Sequence, residues 1–178
     1  MTRRHRRIAA LVAVVGPTAV VTAAFAMTTI NTGGVYVQGQ NTAGVVKFVG
    51  TGWARGVISG GRPSVEIHAG SAPVLFASGR KQRRIASGSD VRIAIPAGTF
   101  FSVYSTQAAM QLTMRGPGIN ASVVGSGTMT FTGKGAYTPT YGVTRPWPRA
   151  AIAIRQPSTS AAHRAALRRK SAHLATVA

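Results

Sequence analysis

The sequence contains no cysteine. That absence excludes a disulfide framework, thiolate zinc sites, thiol nucleophiles and an acylated cysteine. Acidic residues are nearly absent too: Glu66 and Asp90 stand alone beside 21 lysines and arginines, for a formal net charge of +19. With so few carboxylates and with histidines far apart in the chain, no metal site and no cofactor is expected. Between Gly33 and Gly142 no apolar set recurs at spacings of three and four over eleven positions, which argues against amphipathic helices. No Gly-x-Ser-x-Gly elbow occurs either. The nearest approach to a phosphate loop runs from Gly127 to Gly133 and Lys134. It has one residue too many between its glycines, and Gly135 stands where serine or threonine belongs.

What the chain has in excess is positive charge, most of it arginine. Two acids cannot neutralise it, so the folded protein carries a positive field that favours anionic partners and opposes self-association. The plain alternative is solubility together with compositional bias. A length of 178 residues with 45% hydrophobic content fits one domain with a core of its own.

The amino terminus reads as an export signal. Arg3, Arg4, Arg6 and Arg7 precede an uncharged stretch from Ile8 to Ala26. This is the basic-then-apolar order that the secretion machinery recognises. Ala24 and Ala26 flank Phe25 in the small-x-small pattern of a signal peptidase site. Cleavage after Ala26 is the first expectation. An uncleaved anchor is the alternative, since residues 8–26 would extend about 28 Å as a helix and just cross the bilayer core. Either way the location is extracytoplasmic, secreted or anchored in the cytoplasmic membrane.

The middle of the chain alternates. Val65 and Ile67, then Val91, Ile93 and Ile95, then Met110, Leu112 and Met114 are each separated by single, mostly polar residues. Ile119, Ala121 and Val123 continue the pattern, followed by Met129 and Phe131. A period of two places each set on one side of a pleated strand. Four Gly-x-Gly units punctuate the runs: Gly50 to Gly52, Gly116 to Gly118, Gly125 to Gly127 and Gly133 to Gly135. All four read as turns, because glycine supplies the positive φ that hairpins require. The expected fold is all-β, a single small antiparallel sandwich, meander or barrel-like domain over residues 33–144. It lies behind the segment 1–26 and ahead of a basic Pro/Ala/Arg-rich tail, 145–178, that is disordered or weakly helical. The run from Val123 to Tyr137, with its Gly-x-Gly, strand, Gly-x-Gly-x-Tyr unit, resembles small exported β-rich proteins of high-GC actinobacteria. That resemblance implies no activity and no site.

Two places in the sequence invite a functional reading. Arg80, Lys81, Arg83 and Arg84 form a dense basic cluster, expected at a hairpin tip or loop, where guanidinium forks can hold phosphate or carboxylate groups. Arg164, Arg168, Arg169 and Lys170 form a second cluster in the tail. Both are candidates for an anionic envelope polymer or lipid surface. Nucleic acid is a poor partner, because no aromatic residue is interleaved with the basic ones for bases to stack on. Phe100, Phe101 and Tyr104 fall in a β-run, where core packing is the default expectation. Glu66 and His68 share a strand face about 7 Å apart. That spacing permits a base and its partner, although an exposed polar face is the commoner meaning of such a pair. The leading expectation is therefore a non-enzymatic envelope-binding or structural module. The alternatives are a small envelope hydrolase using Glu66 and His68, and an assembly module pairing through a strand edge.

Overall fold

The structure, a computed structural model, describes residues 27–157. Every regular element among them is a β-strand. In chain order these are β1 (Thr28–Ile30), β2 (Gly34–Gly39), β3 (Ala43–Ile58), β4 (Ser64–Ala69), β5 (Val74–Ser78) and β6 (Lys81–Ile85). There follow β7 (Asp90–Ala94), β8 (Phe100–Pro117), β9 (Ile119–Thr132), β10 (Gly135–Pro139), β11 (Arg145–Pro146) and β12 (Ile152–Ile154). All twelve belong to one sheet, whose main path runs β11-β10-β2-β9-β3-β8-β4-β7. Pairing is antiparallel except between β1 and β12.

The three longest strands, β3, β8 and β9, lie side by side in the middle, and each outer one changes neighbours partway along. The first half of β9 pairs with β2 and its second half with β12. The first half of β8 pairs with β5 and its second half with β4. Both changes fall level with the same stretch of β3, and the reason lies in its glycines. Gly50 pairs with Gly127 and Gly52 with Gly125 on the inward side of the sheet. A Cβ on Gly127 would meet the Val49 carbonyl oxygen and lie 2.8 Å from Phe48 Cε2, and one on Gly50 would lie 2.9 Å from Phe48 Cζ. The Phe48 ring therefore occupies the space that side chains would need. Gly52 and Gly125 also have φ of 137° and 153°, values that an L side chain disfavours. So the Gly-x-Gly units at 50 and 125 are not turns but the midpoints of continuous strands. Only those at 116 and 133 lie at strand ends, between β8 and β9 and between β9 and β10.

At the same level β8 carries an irregularity. Gly52 pairs with Ser105 and Gly50 with Met110, so four residues of β8 oppose the single Thr51. The excess of three is odd, and it reverses the alternation. Before it Phe101, Val103 and Ser105 point inward; after it Met110, Leu112 and Met114 do. The Ser105 hydroxyl donates to the Ala108 carbonyl inside the bulge at 2.8 Å. As a result both halves of β8 feed one hydrophobic cluster, with Phe48, Phe101, Leu112, Ile119 and Met129 among its fully buried members. Each such side chain contributes about 1.5–3 kcal/mol by leaving water.

The sheet also runs past both ends of the expected domain. β1 begins at Thr28, and β12 places Ile152 and Ile154 wholly in the core against β9. Two buried isoleucines suffice to hold a three-residue strand, and proline and arginine around them had masked that signal. Trp147, which precedes β12, lies beside Gly39, Gly44 and Gly135, and its indole N–H donates to the Ala136 carbonyl at 2.9 Å. Phe131 packs against it with ring centroids 5.4 Å apart.

The close approach of β3 and β9 at these glycines can be tested by substitution. Replacing Gly127 by alanine forces a methyl group into Phe48 and the β3 backbone, and should cost about 1–3 kcal/mol. A fall in the urea midpoint at unchanged slope would report it. An unaltered midpoint would mean that the strands do not approach this closely.

Candidate functional site

The outward face of the sheet differs in character between its two halves. In the half built from β7, β4, the end of β8 and the start of β3, both acids of the chain stand close together. His68 pairs across the strands with Asp90, and its Nδ1 lies 2.8 Å from the Asp90 carboxylate. Glu66 accepts from Arg115 Nε at 3.2 Å and lies 3.6 Å from Arg92 Nε. Glu66, His68, Asp90 and Arg92, with Gln111 and Thr113, line a shallow depression of about 320 Å³. Glu66 and His68 do share the outward face of β4, but they do not partner each other. The carboxylate is held by two arginines and the imidazole by the other acid. The His68–Asp90 contact has the form of a base with its orienter, yet among the described residues the imidazole hydrogen-bonds to Asp90 alone, and the residue opposite His68 on β8 is Gln111. Gln111 supplies no nucleophilic oxygen or sulfur. Among the described residues no group of three potential ligands could hold a metal ion.

The other half of the sheet holds the basic cluster at its edge, with Arg84 on the outward side opposite Leu75, and Lys81 and Arg83 on the other side opposite Ser78 and Phe76. Gly79, at φ 57°, occupies the first position of the two-residue loop between β5 and β6, and Arg80 the second. Glycine in that place is what a mirror-image hairpin turn of this kind requires. Lys81, Arg83 and Arg84 then lie on β6 itself, all exposed. The cluster is thus a hairpin tip continued into an edge strand rather than a loop.

Across the sheet from β6 runs a band that sequence reading missed. Val124, Trp53, Tyr104, Leu75 and Arg84 face one another on successive strands. A second row, parallel to it, is Ser122, Arg55, Ser102, Ala77 and Gln82. A third holds Asn120, Val57 and Phe100. Of the aromatic run assigned to the core, only Phe101 is there. Phe100 and Tyr104 are about half exposed, at 52% and 47%, and Leu75 is exposed to 53%. The strict alternation around Phe101 carried the correct signal, since its neighbours at even positions must point the other way. The Arg55 guanidinium stands over the Trp53 ring, 4.9 Å from its centroid. Such a contact contributes about 0.5–1 kcal/mol at an exposed site, and it fixes where the cation points. Among the described residues no carboxylate lies within ion-pair distance of Arg55, Arg80, Lys81, Arg83 or Arg84.

The second basic cluster, Arg164, Arg168, Arg169 and Lys170, and the cleavage candidates Ala24 and Ala26 lie outside the described residues. No family model, curated protein or solved structure matches the chain.

The acid-bearing corner is open to solvent, with side-chain exposures of 31% for Glu66 and 70% for Arg92. Its ion pairs are accordingly worth little to the fold. Exchanging Glu66 for glutamine should shift stability by less than about 1 kcal/mol. A loss several times larger in a thermal melt would show the pairs to be sheltered.

Proposed function

We propose that this chain is an exported, non-enzymatic module of the cell envelope whose basic surface holds anionic wall or membrane polymers. In this reading the bent sheet folds over its core as a sandwich-like domain, and one of its outward faces meets the polymer. The observation that carries the proposal is the segregation of charge. Glu66 and Asp90 are engaged by Arg92, Arg115 and His68 in one half of the sheet. The other half carries Arg55 and Arg84 on its outward face, Arg80 at the hairpin tip, and Lys81 and Arg83 on the far side of the β6 edge, with no acid among the described residues to answer them. An uncompensated patch of this kind attracts polyanions over roughly a Debye length, about 8 Å at physiological salt. Residues 1–26 deliver the domain across the membrane, with release at Ala26 or retention by the apolar stretch.

A second reading is favoured by one specific fact: β6 is an edge strand. Lysine and arginine on an exposed edge also guard it against pairing with another sheet. The two readings part on one variant, in which Arg80, Lys81, Arg83 and Arg84 are all replaced by glutamine. Near an anionic surface each cation is worth about 1 kcal/mol, so binding to phosphatidylglycerol vesicles or a teichoic-type polymer should weaken by on the order of a hundredfold or more. Wild-type binding should also disappear as salt is raised. Unchanged binding together with new self-association would assign the cluster to edge protection instead.

A further inference from the structure

From the same face, and resting on the anion-binding reading above, we infer that the polymer it takes is an anionic glycan. Its sugar rings lie in a trough across β3, β8, β5 and β6. The trough follows from side-chain size. Its floor is the row Ser102 and Ala77, two small residues side by side on β8 and β5. Along one flank stand Tyr104 and Leu75, and beyond the floor on the other side stands Phe100. Tyr104 and Phe100 are four residues apart on one strand, so their attachment points are about 13 Å from each other. Arg55 and Gln82 terminate the floor row, three strand spacings or about 14 Å apart.

The hollow beside this floor measures about 390 Å³. A second, of about 270 Å³, lies on the far side of the same ridge, and both are bordered by Leu75, Arg84 and Tyr104. Gln82 and Ser102 line the first, and Ser105, Thr106 and Gln107 the second. Their volumes lie near the lower end of the range for small-molecule sites.

Three chemistries meet here. The exposed Tyr104 ring and Leu75 offer an apolar surface to the C–H face of a sugar. Amide and hydroxyl groups offer donors and acceptors in both directions, which matches a ligand rich in hydroxyls. Arg84, and Arg55 held flat on Trp53, offer forks to a carboxylate or phosphate substituent. A bilayer surface would use the cations and the exposed apolar groups, but it has nothing to place in a recessed floor edged by the Ser102 hydroxyl and the Gln82 amide. A single-stranded nucleic acid needs closely spaced platforms for successive bases. Tyr104 and Phe100 are set too far apart to take neighbouring ones, and the Trp53 ring beside Tyr104 is already taken by the Arg55 guanidinium.

The test uses the full chain with a uronic-acid oligomer, polygalacturonate, and a ring-free polyanion, inorganic polyphosphate. Both should bind at low salt, and polygalacturonate should persist at salt that releases polyphosphate, since stacking is not screened. Tyr104→Ala should weaken polygalacturonate binding by roughly five- to tenfold and leave polyphosphate within about twofold. Tyr104→Phe should restore the ring and the affinity. Arg84→Gln should weaken both ligands. Should Tyr104→Ala fail to fold, Ser102→Tyr, which fills the floor, serves in its place and should also lower only polygalacturonate binding. Equal losses for the two ligands, or no loss for either, would overturn the inference while leaving anion binding intact. So would an equal dependence on Tyr104 with phosphatidylglycerol vesicles or oligothymidylate. A wild-type chain that binds neither polyanion would instead remove the anion-binding reading beneath it.

Discussion

Gly50 and Gly52 lie directly across from Gly127 and Gly125 in the middle of the sheet, and there the strands have no Cβ atoms to hold their inward sides apart. The Phe48 ring occupies that space. Much of the architecture depends on this one packing arrangement. A sixteen-residue strand such as β3 would, if regular, carry one face past a single set of neighbours. Here both flanking strands exchange their outer partners at the glycine level, and the bulge in β8 falls at the same height. The three extra residues of that bulge keep Met110, Leu112 and Met114 on the same side as Phe101 and Val103. Without the odd count, half of β8 would turn its apolar set to solvent.

The same exchange of partners gives the outward surface its two characters. β3 contributes Lys47 and Val49 to one half and Trp53, Arg55 and Val57 to the other, all from odd positions of one strand. β8 contributes Thr113 and Arg115 to the first, and Phe100, Ser102 and Tyr104 to the second. The carboxylates reach the first half alone, because β4 pairs only with the later part of β8 and β7 pairs with β4. Segregation of charge is thus a consequence of which short strand docks on which half of a long one. Arg92 and Arg115 are used in answering Glu66, and the remaining cations near β5 and β6 meet no carboxylate among the described residues.

Much of this was legible in the sequence where the signal is local. The alternation at Val65 and Ile67, at Met110 to Met114 and at Ile119 to Val123 places all three strands and their inward residues correctly. The Gly-x-Gly units were not resolved, because the same tripeptide serves a hairpin turn and a mid-strand bend. What distinguishes Gly125 from Gly133 is that Gly125 faces another glycine on β3, a pairing between residues far apart in the chain. Ile152 and Ile154 were lost for a related reason: a three-residue strand has too few positions to show a period, and only its contact with Met129 identifies it. At Phe100 and Tyr104 the information was present in the alternation with Phe101 and Val103, but aromatic character weighed toward burial. Glu66 and His68 were placed correctly on one face of β4, whereas their true partners, on β7 and β8, depend on register.

Under the proposed function, charge and shape would answer different parts of recognition on the basic face. A net charge of +19 draws any polyanion and speeds its arrival, but it distinguishes poorly among polyanions, and salt abolishes it. The Tyr104–Leu75 ridge with its recessed Ser102–Ala77 floor is indifferent to salt and sensitive to ring shape. Arg55 joins the two, since stacking on Trp53 removes part of its freedom before any ligand arrives. A side chain ordered in advance loses less entropy on binding than the free cations of the β5–β6 tip. The tip therefore suits capture, and the trough, with one pre-set guanidinium across from its floor, suits selection.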